Sequence, residues 1–344
     1  MPTDGERAND RAILVPPRAS LPGVLVSPND APSADAHTSG GSRPAIVPAH
    51  ERYRSAAPCN ALSVDVEDYF HVLAFADIVD PASWAGRECR IPRNVERLLE
   101  IFRAAGVRST FFTLGWVAER YPEVIRSIVR AGHELASHGY EHRLAFAQSR
   151  AEFREDVGRT KKLLEDVSGA EVIGFRAASF SIDERNLWAF DVLQECGYLY
   201  SSSVNPIHHD NYGMLDAPRF AFRIGAGGFL ELPMTTVRIG STNLPAAGGG
   251  FFRLAPYAAF RWAVRRVNAE QQPAIFYLHP WEIDPAQPRM QGARLRSRFR
   301  HYLNLSRMEA RLVQLLHDFS WDSMERVFDV RAAADSGAAR MICR

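Results

Sequence analysis

The stretch SVDVEDYFH, residues 63–71, places three acids directly after the apolar run Ala61 to Val64. A strand that ends in acids is a poor core element, but ligands bind at the carboxyl ends of strands in α/β proteins. Side chains alternate along a strand, so Asp65 and Glu67 are expected on the same side. The two acids could form a catalytic or metal-binding pair, or they could be a helix cap or a solvated strand end.

Composition describes an ordinary globular protein. The chain has 344 residues, of which 46% are hydrophobic and 24% charged, which allows one large barrel or two domains. A formal net charge of +1 gives no sign of attraction to nucleic acid or to a bulk membrane surface. The four cysteines form no CxxC pair, which argues against a zinc ribbon or a disulfide framework and favours a reducing compartment.

The N-terminal region lacks a signal-peptide pattern, and nowhere in the sequence is there an uninterrupted apolar run of the roughly 18 residues that a membrane span needs. We therefore expect a cytoplasmic protein without an integral membrane segment. Residues 1–58 are rich in Pro, Ala, Ser, Gly and Asp, which predicts a disordered tail. A docked extension is the alternative, because residues 12–15 and 24–26 are apolar.

Beyond the tail, strand patterns alternate with helical ones, which predicts a (β/α) barrel of seven or eight repeats, with a doubly wound open sheet as the alternative. Ser149 and Glu152 form a capping box for one of the helices. The predicted strands are 60–66, 109–114, 133–136, 172–177, 198–204 and 274–278, with a strand pair at 229–232 and 235–239 and a last strand at 323–328. The predicted helices are 92–105, 122–131, 149–167, 184–196, 254–268 and 303–319.

The segment SHGYEH, residues 137–142, follows a predicted strand and carries His138 and His142 four residues apart. One turn of helix would bring both imidazoles to one face. Two imidazoles and one carboxylate make a metal site with open positions, suited to zinc or another divalent ion. The alternative is a pair of surface histidines, but the acids after the first strand would lie on the same rim of a barrel.

Two more strand ends carry residue types used in catalysis. Arg176, in the segment FRAAS, could keep one carboxylate ionised through charge-assisted hydrogen bonds, or it could pair with a surface acid. His279, in YLHPWE, follows a continuous apolar run, where a lone histidine is more often structural. Four such strand ends together favour a functional site.

These segments resemble the metal-dependent polysaccharide deacetylases, the carbohydrate esterase family with a NodB-like domain, over about residues 60–328. Three runs resemble a narrower group, the exosortase-associated deacetylases encoded with bacterial exopolysaccharide machinery. They are GGGFFRLAPY (248–257), FYLHPWEIDPAQPR (276–289) and SRFRHYLNL (297–305). The resemblance implies a distorted NodB-like barrel at 59–330, with a family-specific extension from about 206 and a tail at 331–344.

The resemblance also implies hydrolysis of an N-acetyl group on a sugar of an exopolysaccharide or its precursor, which releases acetate. Asp65 matches the catalytic base, and Arg176 matches the arginine that orients it. His138 and His142 match the metal-binding histidines, with zinc as the expected ion. His279 matches the proposed general acid. Peripheral association with exopolysaccharide machinery would follow.

Three departures from the family pattern affect these expectations. The usual adjacent Asp-Asp pair is spaced out here, and we choose Glu67 as the acidic metal ligand because it points the same way as Asp65, with Asp68 as the alternative. Ala178 and Ser179 replace the family's proline and tyrosine, so only the backbone N–H of Ser179 is expected at the oxyanion. Ser201 stands where relatives carry an aspartate, which weakens any argument that an acid tunes the general acid.

Other side chains could contact the glycan. Trp281 could offer an apolar face to a sugar ring, or it could be packing. The arginines between 289 and 300 could hold an anionic polymer or a lipid-linked pyrophosphate, although a solvated basic face is the simpler interpretation. The rival functions are an allantoinase-like hydrolase of small amides and a non-catalytic glycan-binding relative.

Overall fold

The computed structural model describes residues 44–49, 58–207, 213–225 and 227–334. The strands within these ranges are β1 (Ile46–Pro48), β2 (Asn60–Val66), β3 (Thr110–Thr113), β4 (Glu134–Ser137), β5 (Gly174–Phe175), β6 (Tyr200–Ser201), β7 (Phe222–Ile224), β8 (Phe229–Glu231), β9 (Thr236–Ile239), β10 (Thr242–Pro245), β11 (Ile275–Leu278) and β12 (Trp321–Asp322). The α-helices are α1 (Ile91–Ala105), α2 (Gly115–Arg120), α3 (Pro122–Arg130), α4 (Arg150–Ser168), α5 (Trp188–Glu195), α6 (Gly249–Leu254), α7 (Tyr257–Ala269), α8 (Leu295–Tyr302), α9 (Leu305–Asp318) and α10 (Met324–Val327).

Seven parallel strands form the barrel, in the order β8, β6, β5, β4, β3, β2, β11. Irregular chain, rather than a continuous ladder, bridges β8 and β11. Three backbone hydrogen bonds connect this irregular chain. The N–H of Met234 donates to the carbonyl oxygen of Val204, the N–H of Ala246 to that of Thr235, and the N–H of Tyr277 to that of Ala247. The distorted barrel predicted from the sequence is therefore confirmed.

Local sequence explains why the main elements form where they do. Every residue of β2 is buried, as a strand covered on both faces requires. Helix α1 has a proline in its first turn and ends at Gly106, whose φ of 68° is the left-handed conformation that glycine adopts readily. Helix α4 begins at the predicted capping box, with Ser149 and Glu152 bonded reciprocally.

Both predicted tails need correction at their inner ends. Residues Ile46–Pro48, inside the predicted tail of 1–58, pair antiparallel with β7. At the other end, a helical turn at 330–334 buries Val330 and Ala333, so the folded region runs past residue 330. The rest of the two tails, 1–43, 50–57 and 335–344, lies outside the described residues.

Two strand predictions in the C-terminal half are wrong. The segments 229–232 and 235–239 do not pair with each other: β8 lies between β6 and β7, and β9 forms a hairpin with β10. The predicted strand 323–328 is helix α10, preceded by the short strand β12. Met324 and Phe328 are both buried at a spacing of four, which fits a helix that packs on one face.

Candidate active site

The predicted site residues meet where the carboxyl ends of the parallel strands converge. Asp65 lies in β2 and Glu67 directly after it, and His138 follows β4. Arg176 follows β5 and His279 follows β11. A cavity of about 610 Å³ opens above this edge of the sheet, and Asp65, Glu67 and His279 line it. The expectation that the four strand ends share one rim is therefore met.

Glu67 faces two histidines. Its Oε1 atom lies 2.9 Å from Nε2 of His138 and 3.1 Å from Nε2 of His142. One ligand atom from each of the three residues lies within 4.8 Å of the others, which is a grouping that could hold a metal ion. Burial acts to raise the pKa of Glu67, but His142 and His138 outweigh it and hold that pKa well below its ordinary value.

The hydrogen bonding of His138 fits a cation at this position. Nδ1 lies 2.7 Å from the carbonyl oxygen of Arg176, which can only accept, so Nδ1 carries the proton of a neutral imidazole. Nε2 then directs a lone pair at the Glu67 carboxylate, which is also an acceptor. Two facing acceptors require a proton or a cation between them. The donor set of two imidazoles and a carboxylate therefore suits zinc.

The backbone between the two histidines is not the helical turn that their spacing suggested. Gly139 and His142 have φ values of 74° and 55°, so the segment is a loop with two left-handed residues. Tyr140 anchors this loop, since its backbone N–H donates to Asp156 Oδ1 at 2.8 Å. The loop still brings both imidazoles to Glu67.

Asp65 is paired with Arg176 inside the protein. Arg176 is completely buried, and its Nη1 donates to Asp65 Oδ1 at 2.5 Å. The hydroxyl of Ser63 and the backbone oxygen of Ser202 hold the same guanidinium at 2.9 and 3.1 Å. The predicted contact is present, while the role of Asp65 as a base stays a prediction.

His279 is linked to two charged residues that the sequence interpretation missed. Its Nδ1 lies 2.8 Å from Oε1 of Glu282, and the other oxygen of Glu282 accepts from Nε of Arg253 at 2.7 Å. Burial acts to lower the pKa of His279, but Glu282 and Glu67 outweigh it and raise that pKa to about 9. Glu282 thus supplies the acid that Ser201 could not.

A sequence signal for this pair did exist. Glu282 lies three residues after His279 in the short 3-10 helix Pro280–Ile283, so both side chains reach one side of a single turn. One glycine of the run that begins at 248 is explained by the same group. A Cβ added to Gly249 would lie 2.3 Å from the Glu282 carboxylate, so a larger residue would push that carboxylate away from its contacts with His279 and Arg253.

The Asp68 carboxylate, unlike that of Glu67, points away from the two histidines and accepts hydrogen bonds from backbone N–H groups. The chain turns after β2, with the Glu67 N–H bonded to the Asp65 carbonyl oxygen. The Asp68 carboxylate points to the start of α1, where it accepts from the N–H of Arg90 at 2.6 Å and of Ile91 at 3.2 Å. Within the described ranges, the groupings that could hold a metal contain Glu67 and not Asp68.

Ser179 and Trp281 both line the cavity. Ser179 has a φ of 50°, a strained value for a non-glycine residue, which turns the chain at the cavity edge. Trp281 is only 5% exposed and stacks on His279 and on His301 at centroid distances of 5.2 and 4.0 Å. These contacts favour packing over an open ring face for a sugar.

Two family models match the chain in sequence. Residues 73–200 match the polysaccharide deacetylase model, and residues 202–329 match a domain of unknown function, DUF3473. Residues 73–200 therefore belong to a polysaccharide deacetylase domain, followed by a DUF3473 region.

Curated relatives are similar to part of this chain in sequence, and a solved structure is similar to it in fold. A peptidoglycan deacetylase from Helicobacter pylori is 27% identical over 34% of this chain and 38% of its own length. A peptidoglycan deacetylase-like protein from Gibberella zeae is 30% identical over 33% of each. The chain thus spans about a third of the length of these relatives. A crystal structure described as a putative polysaccharide deacetylase from Mycobacterium smegmatis is 22% identical, with a TM-score of 0.53 over 84% of this chain and 95% of that one, which supports the fold.

The polysaccharide deacetylase region and the DUF3473 region both contribute residues to one cavity. The first region contains both histidines of the metal grouping and Arg176. The second contains His279, Glu282 and Arg253. No helix within the described ranges combines the length and apolar character that a bilayer crossing requires.

Proposed function

We propose that this protein is a metal-dependent deacetylase that hydrolyses the N-acetyl group of an amino sugar in a glycan and releases acetate. The observation that carries the proposal is the grouping of Glu67, His138 and His142 in the same cavity as Asp65 and His279. The names of the curated relatives, which describe peptidoglycan deacetylases, support the reaction type.

Glu67, His138 and His142 would hold the divalent ion, with zinc the ion that the donor set suits best. When bound, such an ion polarises a carbonyl group and lowers the pKa of water. The three ligands are pre-positioned by their own contacts: Glu67 is buried at the end of β2, and a backbone carbonyl fixes the ring of His138.

Asp65 would take a proton from the attacking water. The buried guanidinium of Arg176 holds Oδ1 of Asp65, which leaves Oδ2 to accept the proton. As the carbonyl carbon gains the water oxygen, its own oxygen becomes an anion. The backbone N–H of Ser179, at the cavity edge, would stabilise that charge.

His279 would complete the reaction by protonating the departing nitrogen. Glu282 occupies Nδ1, so Nε2 is the atom that faces the cavity, 4.0 Å from the Glu67 carboxylate. A pKa of about 9 keeps this imidazole protonated at neutral pH. The C–N bond breaks, the proton passes to nitrogen, and the products are acetate and a free amine on the sugar.

We further propose that the glycan is a bacterial exopolysaccharide or its precursor, with the protein peripherally associated with the synthetic machinery in the cytoplasm. This finer assignment is supported by the runs 248–257, 276–289 and 297–305 and by the match of 202–329 to DUF3473. A simple glycan binder would have no use for the Asp65–Arg176 and His279–Glu282 pairs.

Acetate release tests the proposal. The zinc-loaded full chain should release acetate from N-acetylated oligosaccharides, measured enzymatically on peptidoglycan fragments, N-acetylglucosamine oligomers and N-acetylated bacterial exopolysaccharide. His138→Ala and His142→Ala should lose both the metal, measured by elemental analysis, and the activity. His317→Ala, at a side chain that is 90% exposed on α9, is the matched control and should retain both.

Acetate release from none of these glycans by metal-loaded protein would refute the deacetylase assignment. If the His138 and His142 variants kept stoichiometric zinc, the ligand assignment would be wrong even if activity were found.

A further inference from the structure

The cavity above the site has a basic side. Arg294, Arg296 and Arg300 line it from helix α8 and the residue before that helix. Arg296 and Arg300 are four residues apart, so their side chains leave the same face of the helix. The cavity therefore joins an acidic floor, formed by Asp65 and Glu67, to a wall that carries three guanidinium groups.

The local sequence is strongly one-sided in charge. Between Asp284 and Glu309 there is no acidic residue. The arginines in the same interval are Arg289, Arg294, Arg296, Arg298, Arg300 and Arg307. Because the whole chain has a formal net charge of only +1, this interval is a local concentration of positive charge.

Little inside the protein neutralises the basic wall. Arg294 has a partner in Asp77 at 2.9 Å, but both side chains are more than 70% exposed, and such pairs hold weakly. Neither Arg296 nor Arg300 has a carboxylate within ion-pair distance in the described part of the chain. Arg253, which also lines the cavity, differs because Glu282 neutralises it at 2.7 Å.

We propose that this wall binds an anionic group, a carboxylate or a phosphate, that the glycan substrate carries close to the N-acetyl group being cleaved. Guanidinium groups match the planar oxygens of carboxylate and phosphate in bidentate hydrogen bonds. A neutral glycan would gain nothing from two unpaired arginines beside the reaction centre. The inference rests on the proposed function in one respect, namely that a sugar chain occupies the cavity.

Binding of sugars without an acetyl group tests the wall separately from the reaction. Tetragalacturonate supplies carboxylates, and maltotetraose is a neutral chain of equal length. Calorimetry on the zinc-loaded full chain at low salt should give at least tenfold tighter binding of tetragalacturonate. Arg296→Gln and Arg300→Gln should each weaken that binding about tenfold, because a hydrogen bond to a charged group is worth roughly that factor. Arg307→Gln, exposed and outside the cavity lining, is the matched control and should bind as the unaltered protein does.

A second ligand identifies the source of the anion. If uridine diphosphate N-acetylglucosamine binds more tightly than tetragalacturonate and depends on the same two arginines, the anion is a phosphate. The reverse order assigns a carboxylate, and either order supports the proposal.

Three results would overturn it. They are equal binding of the acidic and neutral tetrasaccharides, equal losses for the Arg307 variant and the cavity variants, and binding only to phosphatidylglycerol vesicles. The last result would make the basic face a membrane contact. Since tetragalacturonate has no acetyl group, failure of this test leaves the deacetylase proposal standing, and a protein that released no acetate could still pass it.

Discussion

The floor and the wall of the cavity are built differently. The floor consists of Asp65, Glu67, His138 and Arg176, which are buried and held in place by one another and by the ends of β2, β4 and β5. The wall consists of Arg294, Arg296 and Arg300, which lie on helix α8 and directly before it, and all three side chains are exposed. Bond breaking needs atoms at fixed positions, whereas recognition of a flexible glycan can use mobile side chains. We infer that the floor determines the reaction and the wall determines the substrate.

The largest effect is expected on the floor, at Asp65. Asp65→Asn keeps the size of the side chain but removes the proton acceptor, so kcat for acetate release should fall by about 10²- to 10⁴-fold, the usual contribution of general base catalysis. Zinc content should remain unchanged. A variant within about tenfold of the normal rate would show that another group takes the proton.

The second prediction concerns the partner of Asp65. Arg176→Ala leaves a buried carboxylate without its cation, so the free energy of unfolding should fall by about 3 to 5 kcal/mol, measured by urea denaturation. Arg300→Ala, on the exposed wall, should change that free energy by less than about 0.5 kcal/mol. Equal losses for the two variants would contradict the contrast between floor and wall.

Glu282 lies at the junction of the two regions. Because it orients His279 without touching the substrate, Glu282→Gln should lower kcat about tenfold or more and change KM little. Combined with His279→Ala, the same substitution should have almost no further effect on kcat. A full additional loss in the double variant would mean that Glu282 acts independently of the imidazole.

The smallest effect is expected at Glu134, at the amino end of β4 and therefore far from the floor. Burial raises its pKa to about 7 although Thr110, the N–H of Glu325 and Tyr200 donate hydrogen bonds to it. A carboxyl group whose pKa is higher in the folded protein than in the unfolded chain contributes stability at pH values below its unfolded pKa of about 4.5. That contribution is lost as the pH rises from about 4.5 to about 7.

Glu134→Gln should therefore gain stability relative to the unaltered protein across this pH window, by about 3 kcal/mol, measured by denaturation at several pH values. Glu96→Gln, on the exposed face of α1, is the control and should show no such trend. Acetate release should be unaffected by either change, and a difference in stability that is flat with pH would refute the assignment.

Much of the floor was predictable because it rests on local patterns. Each of its two main patterns lies within one short stretch of sequence: an apolar strand followed by acids, and the segment SHGYEH. The route between the two histidines was not predictable, since His142 adopts a left-handed conformation that its residue type does not require. Strand alternation predicted that Glu67 and Asp65 face the same cavity, and both line it, while the role of Glu67 as a metal ligand stays a prediction. The contact of Asp68 with the start of α1 was not predictable, because that helix begins 23 residues later.

The surroundings of Glu282, between the floor and the wall, were less predictable because their contacts are remote in sequence. Glu282 is neutralised by Arg253, 29 residues earlier, and needs Gly249 to make room for it. Arg253 and Gly249 form no periodic sequence pattern with Glu282, so the sequence alone could not reveal these contacts. The strand β1 was missed for the same reason, since among the described residues the strand that it pairs with is β7, far along the chain.

The short strand β1 affects whether a truncated form of the protein would self-associate. Residues Ile46–Pro48 cover the outer edge of Phe222–Ile224, and the proline that ends the strand discourages further strand addition. A shortened polypeptide that began at residue 59 would present the edge of β7 uncovered. Such a protein should associate with itself in a concentration-dependent way, visible in sedimentation, even though every residue of its catalytic floor is still present.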